Sequence, residues 1–180
     1  MKTRIIYAFV AILLLGANAK AQNAPLKIGY TSTEYILSLL PAAKKIQKEL
    51  ADYNDQLSAQ LKAKEQTLQE KFANYQSTVN SMTELIKKDK ERELQTLEAS
   101  LRQFQQDAQT SFADKQKKLL EPVLEEIRVA IQSVAEENNF THILNSSTGG
   151  LDVLLFAKEE YDVSNLVLAK LGVEPPSTNN

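Results

Sequence analysis

Hydrophobic residues recur through the middle of the chain with the spacing of a helix seam. Ile46, Leu50, Tyr53 and Leu57 follow steps of four, three and four, the rhythm that keeps one face of a helix against a partner. Leu61 comes four further on, and the next heptad position falls on Lys64 and Glu65. This is a stutter, which locally changes the winding of a coiled coil. Leu68, Phe72, Tyr75, Val79, Met82 and Ile86 restore the rhythm, seven charged residues (Lys87 to Glu93) interrupt it, and Leu94, Leu97, Leu101, Phe104, Ala108 and Phe112 take it up again. Leu119, Leu120, Val123, Ile127, Ile131 and Val134 carry it toward the C-terminal part.

The breakers of regular structure agree. Residues 42–121 are eighty positions without one Gly or Pro, so the whole block is predicted to be helix. Ala, Leu, Glu, Lys and Gln, all good helix formers, dominate it. A single straight helix and a hairpin folding back near 83–90 both fit this pattern. The flanks favour the hairpin. Lys27-Ile28-Gly29-Tyr30, Phe140-Thr141-His142-Ile143-Leu144 and Val153-Leu154-Leu155-Phe156 read as short strands (near 26–31, 140–145 and 152–156), with turn chemistry at Asn145 to Gly150. Short strands need partners. A hairpin returns the first strand to the others, whereas a straight helix separates them by ~100 Å or more. A short helix from about Thr33 to Leu40 ends at Pro41, and Pro122 marks a kink or restart where arm meets body. Asp162 or Ser164 is placed to cap a last helix to Leu171, with Gly172 just past its end. The expected fold is mainly α with a small β body: residues 22–41 and 122–180 form the body, and 42–121 form a long antiparallel helical-hairpin arm.

The N-terminus changes the picture of where the chain works. Lys2 and Arg4 precede an apolar run from Ile5 to Leu15, followed by Ala17-Asn18-Ala19 and Ala19-Lys20-Ala21. That order reads as a signal peptide over residues 1–21, too short in its apolar part to span a bilayer. The mature chain is then exported, with cleavage after Ala21. No Cys is present, which excludes disulfides and thiolate metal sites. Residues 22–180 carry 18 Lys or Arg and 23 Asp or Glu, a balance of −5, which argues against general nucleic-acid binding. Residues 42–121 hold fourteen basic and thirteen acidic side chains, so the negative excess sits in the body and the arms are near neutral.

Catalytic chemistry finds little support. His142 is the one histidine, and a lone His in a strand is read as structural, since catalytic and metal sites need convergent groups. Gly149-Gly150 lacks the Lys-Ser/Thr of a phosphate loop. The carboxylates of the arm alternate with lysines at helical spacing, as on a solvated face. Asn139-Phe140-Thr141 and Asn145-Ser146-Ser147 match the N-glycosylation pattern and are read as turn chemistry. No catalytic residue, metal ligand or cofactor is assigned.

The order of signal peptide, strand Lys27-Ile28-Gly29-Tyr30, short helix, long hairpin, Glu125-Glu126-Ile127-Arg128-Val129-Ala130-Ile131, strand Phe140 to Leu144, and Asp162-Val163-Ser164-Asn165-Leu166 to Leu171 resembles the Skp (OmpH-like) family of periplasmic chaperones. The resemblance implies a homotrimer with a β-barrel-like body built from three subunits. Its arms would enclose a cavity that holds unfolded outer-membrane or envelope proteins without ATP. Ile28, Tyr30, Ile143, Val153 and Leu155 are the expected trimer-body residues. Tyr53, Phe72, Tyr75, Val79, Met82, Phe104 and Phe112 either zip the hairpin or touch client along its inner face. The best-known family members are strongly basic and this chain is acidic, which argues against lipopolysaccharide or anionic-membrane contact. A holdase is therefore the leading expectation, a structural coiled-coil scaffold of the envelope the alternative, and an enzyme the last.

Overall fold

A computed structural model describes residues 26–176; the expected signal peptide lies outside the described residues. Strand β1 (Ile28–Thr31) leads into helix α1 (Thr33–Leu39), and two long helices follow: α2 (Pro41–Thr78) and α3 (Glu84–Glu137). They form an antiparallel hairpin of 38 and 54 residues, about 55 and 80 Å long at 1.5 Å per residue. Strand β2 (His142–Asn145), the small strands β3 (Ser147–Thr148) and β4 (Leu151–Asp152), and helix α4 (Ser164–Lys170) complete the chain.

Local chemistry explains the boundaries. Ser32 caps α1 by accepting a hydrogen bond from the Tyr35 amide, and Pro41 opens α2, where its missing N–H costs nothing. Between Thr78 and Glu84 the chain makes one 3-10 turn over Val79–Ser81. Thr83 then caps α3, its hydroxyl accepting from the Ile86 amide at 3.4 Å, with Glu84 in the positive first turn. The reversal thus lies at 79–83, ahead of the expected 83–90. The charged run is helical, and pairs along its own helix, Lys87 with Glu84 and Lys90 with Glu93, add modest support. Helix α3 runs through Pro122 without a restart. Pro cannot donate to the Lys118 carbonyl, and Lys118 is exposed, so water can replace that bond.

β1 and β2 pair in parallel, Ile28 opposite His142 and Thr31 opposite Asn145. A parallel pair needs a crossover connection, and here the whole hairpin is that crossover. Gly29 is where the sheet is approached most closely: a Cβ there would sit 3.0 Å from Phe140 Cε1 and 3.2 Å from Val163 Cγ1. β3 and β4 form a two-residue hairpin whose turn, Gly149 and Gly150, has φ of 62° and 76°. Both turn positions of that hairpin type demand positive φ, which glycine supplies without strain.

The strand expected over 152–156 is corrected. Only Leu151–Asp152 pairs, and Val153–Phe156 is irregular. The amides of Val153 and Leu154 both donate to the Ser146 carbonyl, at 2.8 and 3.1 Å, which turns the chain away from the sheet. The segment pairs with no strand among the described residues, and an unpaired strand has nothing to stabilise it.

The core lies where arm meets body. Ile36 and Leu40, then Ala43 and Ile46, face Val123, Ile127, Ala130 and Val134 of α3, with Val163, Val167 and Leu168 closing the end. Ile46, Val123, Ile127 and Val134 were read as seam positions from the sequence; Ala43 and Ala130 join them in the core, while Ile131 is only partly buried. Asp162 Oδ1 accepts from the Ser164 amide at 2.7 Å to start α4, and Gly172, at φ 73°, ends it.

Candidate functional site: the helical arm and the exposed body face

Beyond Ile46 and Val123 the hairpin leaves the core and becomes a two-helix arm. Its apolar seam is half-buried at Leu50, Leu57, Leu61, Leu68, Leu97 and Leu101, and most buried at Leu94, 9% exposed. Two helices cannot surround their own seam, so apolar surface stays within reach of solvent along the arm.

Polar fastenings cross the arm at both ends. Near the body, Tyr53 Oη lies 2.6 Å from Ser111 Oγ and Lys115 pairs with Glu49. Toward the tip, Glu93 binds Lys71 across the helices and Lys90 along its own helix, each at 2.8 Å, while Tyr75 Oη donates to Glu91 at 2.7 Å. The hydrogen bonds from Lys71 and then Lys90 hold the Glu93 carboxyl at a pKa of about 2. The Glu91 carboxylate, accepting its hydrogen bond, pushes the Tyr75 hydroxyl up. Glu93 thus pairs with both lysines at once, leaving the cluster one positive charge instead of two. Sequence reading missed this clasp, because Lys71 and Glu93 are 22 positions apart and carry no mutual signal until the hairpin register is known.

The expected client-contact residues separate into groups. Tyr53, Tyr75, Phe104 and Phe112 are half-buried on the seam, Phe104 under Lys64 at 5.3 Å from ring centre to Nζ. Val79 and Met82 are half-buried in the turn. Phe72 is 48% exposed. The heptad placed it among the zipper positions, yet it is more open to solvent than the seam residues Leu68 and Tyr75 on either side of it.

The expected body residues also divide. Ile143 packs against the core from below half exposure, and Tyr30 is half-buried, its hydroxyl pushed up first by burial and then by Asp162 and Glu159. Ile28 is exposed, Val153 is 62% exposed and Leu155 94% exposed, with Leu151 and Phe156 open beside them. The turn that precedes Leu151 is tied to the start of α1 by a polar knot the sequence did not reveal. Asn145 Oδ1 accepts from the Thr33 amide at 3.0 Å, Ser32 and Ser147 hydroxyls meet at 2.9 Å, and the Gly149 amide donates to Glu34 at 2.6 Å. The turn reading of Asn145 to Gly150 named these residues but not their partners across the chain. At the other end of the sheet, Lys27 Nζ donates to the Asn138 carbonyl at 2.8 Å, capping α3, and lies 4.1 Å from the Phe140 ring centre.

Among the described residues no cluster of His, Cys, Asp and Glu is placed to hold a metal, and no helix is long and apolar enough to cross a membrane. What this architecture presents is extended, partly apolar contact surface on a projecting arm, the equipment of a binding protein. The comparisons agree with that class. Residues 27–171 match the family described as outer membrane protein (OmpH-like), and the chain belongs to that family. The solved structure of an OmpH-like protein from Caulobacter crescentus CB15, described as a candidate outer membrane chaperone, shares the fold with a TM-score of 0.69. It is 17% identical, and the alignment covers 80% of this chain and 82% of that one. No curated protein matches.

Proposed function

We propose that the protein is an exported, ATP-independent holdase that binds unfolded outer-membrane or envelope proteins between the arms of a homotrimer. The observation that carries this is the arm itself: a hairpin projecting from a small core, with a seam half-open along its length. Membership of the OmpH-like family supports a chaperone role, and the described neighbour is a candidate outer membrane chaperone. Unfolded β-barrel proteins carry alternating apolar residues that aggregate when exposed. Covering them stabilises by roughly 25 cal/mol per Å² of apolar area, so many weak contacts add up without a specific pocket. Residues 1–21 fit a signal peptide directing the chain to the periplasm.

The trimer reading rests on the body. Leu151, Val153, Leu155 and Phe156 are four large apolar side chains left mostly exposed within six residues, the kind of surface that marks an interaction site, and a body of this size is marginal alone. Tyr53, Phe72, Tyr75, Val79, Met82, Phe104 and Phe112 are the proposed client contacts, and Ile28, Tyr30, Ile143, Val153 and Leu155 the proposed body contacts. Near-neutral arms, with Lys71 and Lys90 occupied by Glu93, provide no single-sign field for anionic lipid. The test is an aggregation assay in which a urea-unfolded outer-membrane β-barrel is diluted into excess protein. Suppressed light scattering is the expected result; precipitation as fast as without the protein would refute it and favour a scaffold.

A further inference from the structure

Between the proximal and distal fastenings the arm opens into a cleft of about 480 Å³, at the stutter. Its floor is Leu57 and Leu61 from α2 with Ala108 and Phe112 from α3; its rim is Asn54, Ser58, Gln105 and Gln109. Four other clefts on the described residues each carry at least two ionisable side chains, such as Lys71 and Glu93 or Glu125 and Arg128. This one carries none. Its rim is amide and hydroxyl throughout, and none of the four rim side chains hydrogen-bonds within the described chain, while their neighbours Tyr53 and Gln103 do, to Ser111 and Asp107. The cleft coincides with the extra residue of the stutter, where Leu61 follows Leu57 by four and the facing Ala108 is small.

We propose that this cleft is a subsite for an extended, uncharged stretch of polypeptide, in which the rim amides bond the peptide groups and the floor takes alternate apolar side chains. This rests on the holdase reading and names where on the arm it acts. The chemistry selects that occupant. Amide side chains both donate and accept, as peptide groups do, and a peptide backbone is the feature common to all unfolded clients. A charged ligand would find no counter-charge, and burying a charge there unpaired is costly. The dimensions agree. From Asn54 to Leu61 the helix advances ~10 Å, the length of about three residues of extended chain. One or two of these would point to the floor, since side chains alternate faces. Sequence independence follows, because the rim reads backbone and the floor reads only apolarity.

The experiment uses the mature full chain and, as probe, a fluorescently labelled, urea-unfolded β-barrel membrane protein. A photo-cross-linking residue replaces Ser58, which lines the cleft, or Gln60, which is exposed on another face of the same helix. Strong cross-linking from position 58 and little from 60 is expected. In parallel, Ser58→Asp with Gln105→Glu should weaken probe binding about tenfold, the equivalent of roughly one apolar side chain left unburied, with helicity unchanged because both residues are exposed. Gln60→Glu should leave binding as in the native chain. Equal cross-linking from both positions, or unchanged binding by the double variant while the native chain still suppresses aggregation, overturns the subsite and leaves the holdase reading standing. Failure of the native chain to suppress aggregation overturns both.

Discussion

Ile127→Ala tests whether body and arm are one cooperative unit. Ile127 is 1% exposed and sits in the cluster of Ile36, Val134, Val163, Val167 and Leu168. Truncating an enclosed aliphatic side chain costs about 2–5 kcal/mol, more where the surroundings cannot collapse. Here two long helices, α1 and α4 converge on the site, so about 4 kcal/mol is expected. For a chain of this size each kcal/mol moves the melting temperature by about 2–4 °C, which gives a fall of about 8–16 °C. Leu94→Ala is the comparison. Leu94 is 9% exposed, yet it borders the cleft formed by Lys71, Tyr75 and Glu93, so water can fill part of the space; about 2 kcal/mol is expected. Far-ultraviolet circular dichroism melts at one fixed protein concentration read both, since assembly makes the midpoint concentration-dependent. Because α2 and α3 pass from core into arm without a break, Ile127→Ala should shift the whole helical signal in one transition. A two-step melt in which most helicity outlasts the loss of the body, or a larger effect from Leu94→Ala, would refute the reasoning.

Gly29→Ala should cost about 1–3 kcal/mol, because the new methyl meets Phe140 at 3.0 Å and Val163 at 3.2 Å; an unchanged urea midpoint would contradict this. The Glu93 clasp should be pH-dependent in one direction. Its folded pKa, about 2, lies below the unfolded carboxylate value of 4.5, so its contribution is full above that value and fades as pH falls toward 2. Carboxyl titration by nuclear magnetic resonance checks it, and a Glu93 titrating at the ordinary value would remove the clasp from the account. Leu155→Asp, at a side chain 94% exposed in the single chain, should leave the fold intact and dissociate the assembly. Sedimentation velocity showing the native chain monomeric at micromolar concentration, or the variant still assembled, would count against the body interface.

The helices were legible in the sequence because their evidence is local and repeated. Eighty residues without Gly or Pro, and steps of four and three from Ile46 through Val134, state a helical pair many times over. The reversal was placed a few residues late because a charged run and a turn look alike until pairing is known. Glu84, Lys87, Lys90 and Glu93 satisfy one another only on a helix. Val153–Phe156 has the composition of a strand, but a strand is a relation between segments, and its amides turn instead to Ser146. The same holds for Lys71 with Glu93 and for Asn145 with Thr33, contacts across 22 and 112 positions that no local pattern encodes.

These features together separate what folds the chain from what it presents to others. The buried cluster draws on the base of each long helix, on α1 and on α4, and leaves most of the arm outside it. Arm residues are held by helix propensity, by pairs such as Lys48 with Asp52, and by fastenings at two levels. An arm stabilised this way does not need a closed seam, so Leu57, Leu61, Phe72 and Phe112 can remain reachable without endangering the fold. The hairpin is rooted in the core at its base, and its cleft at the stutter is lined by uncharged groups alone. That arrangement suits a surface meeting partners that share a backbone and little else.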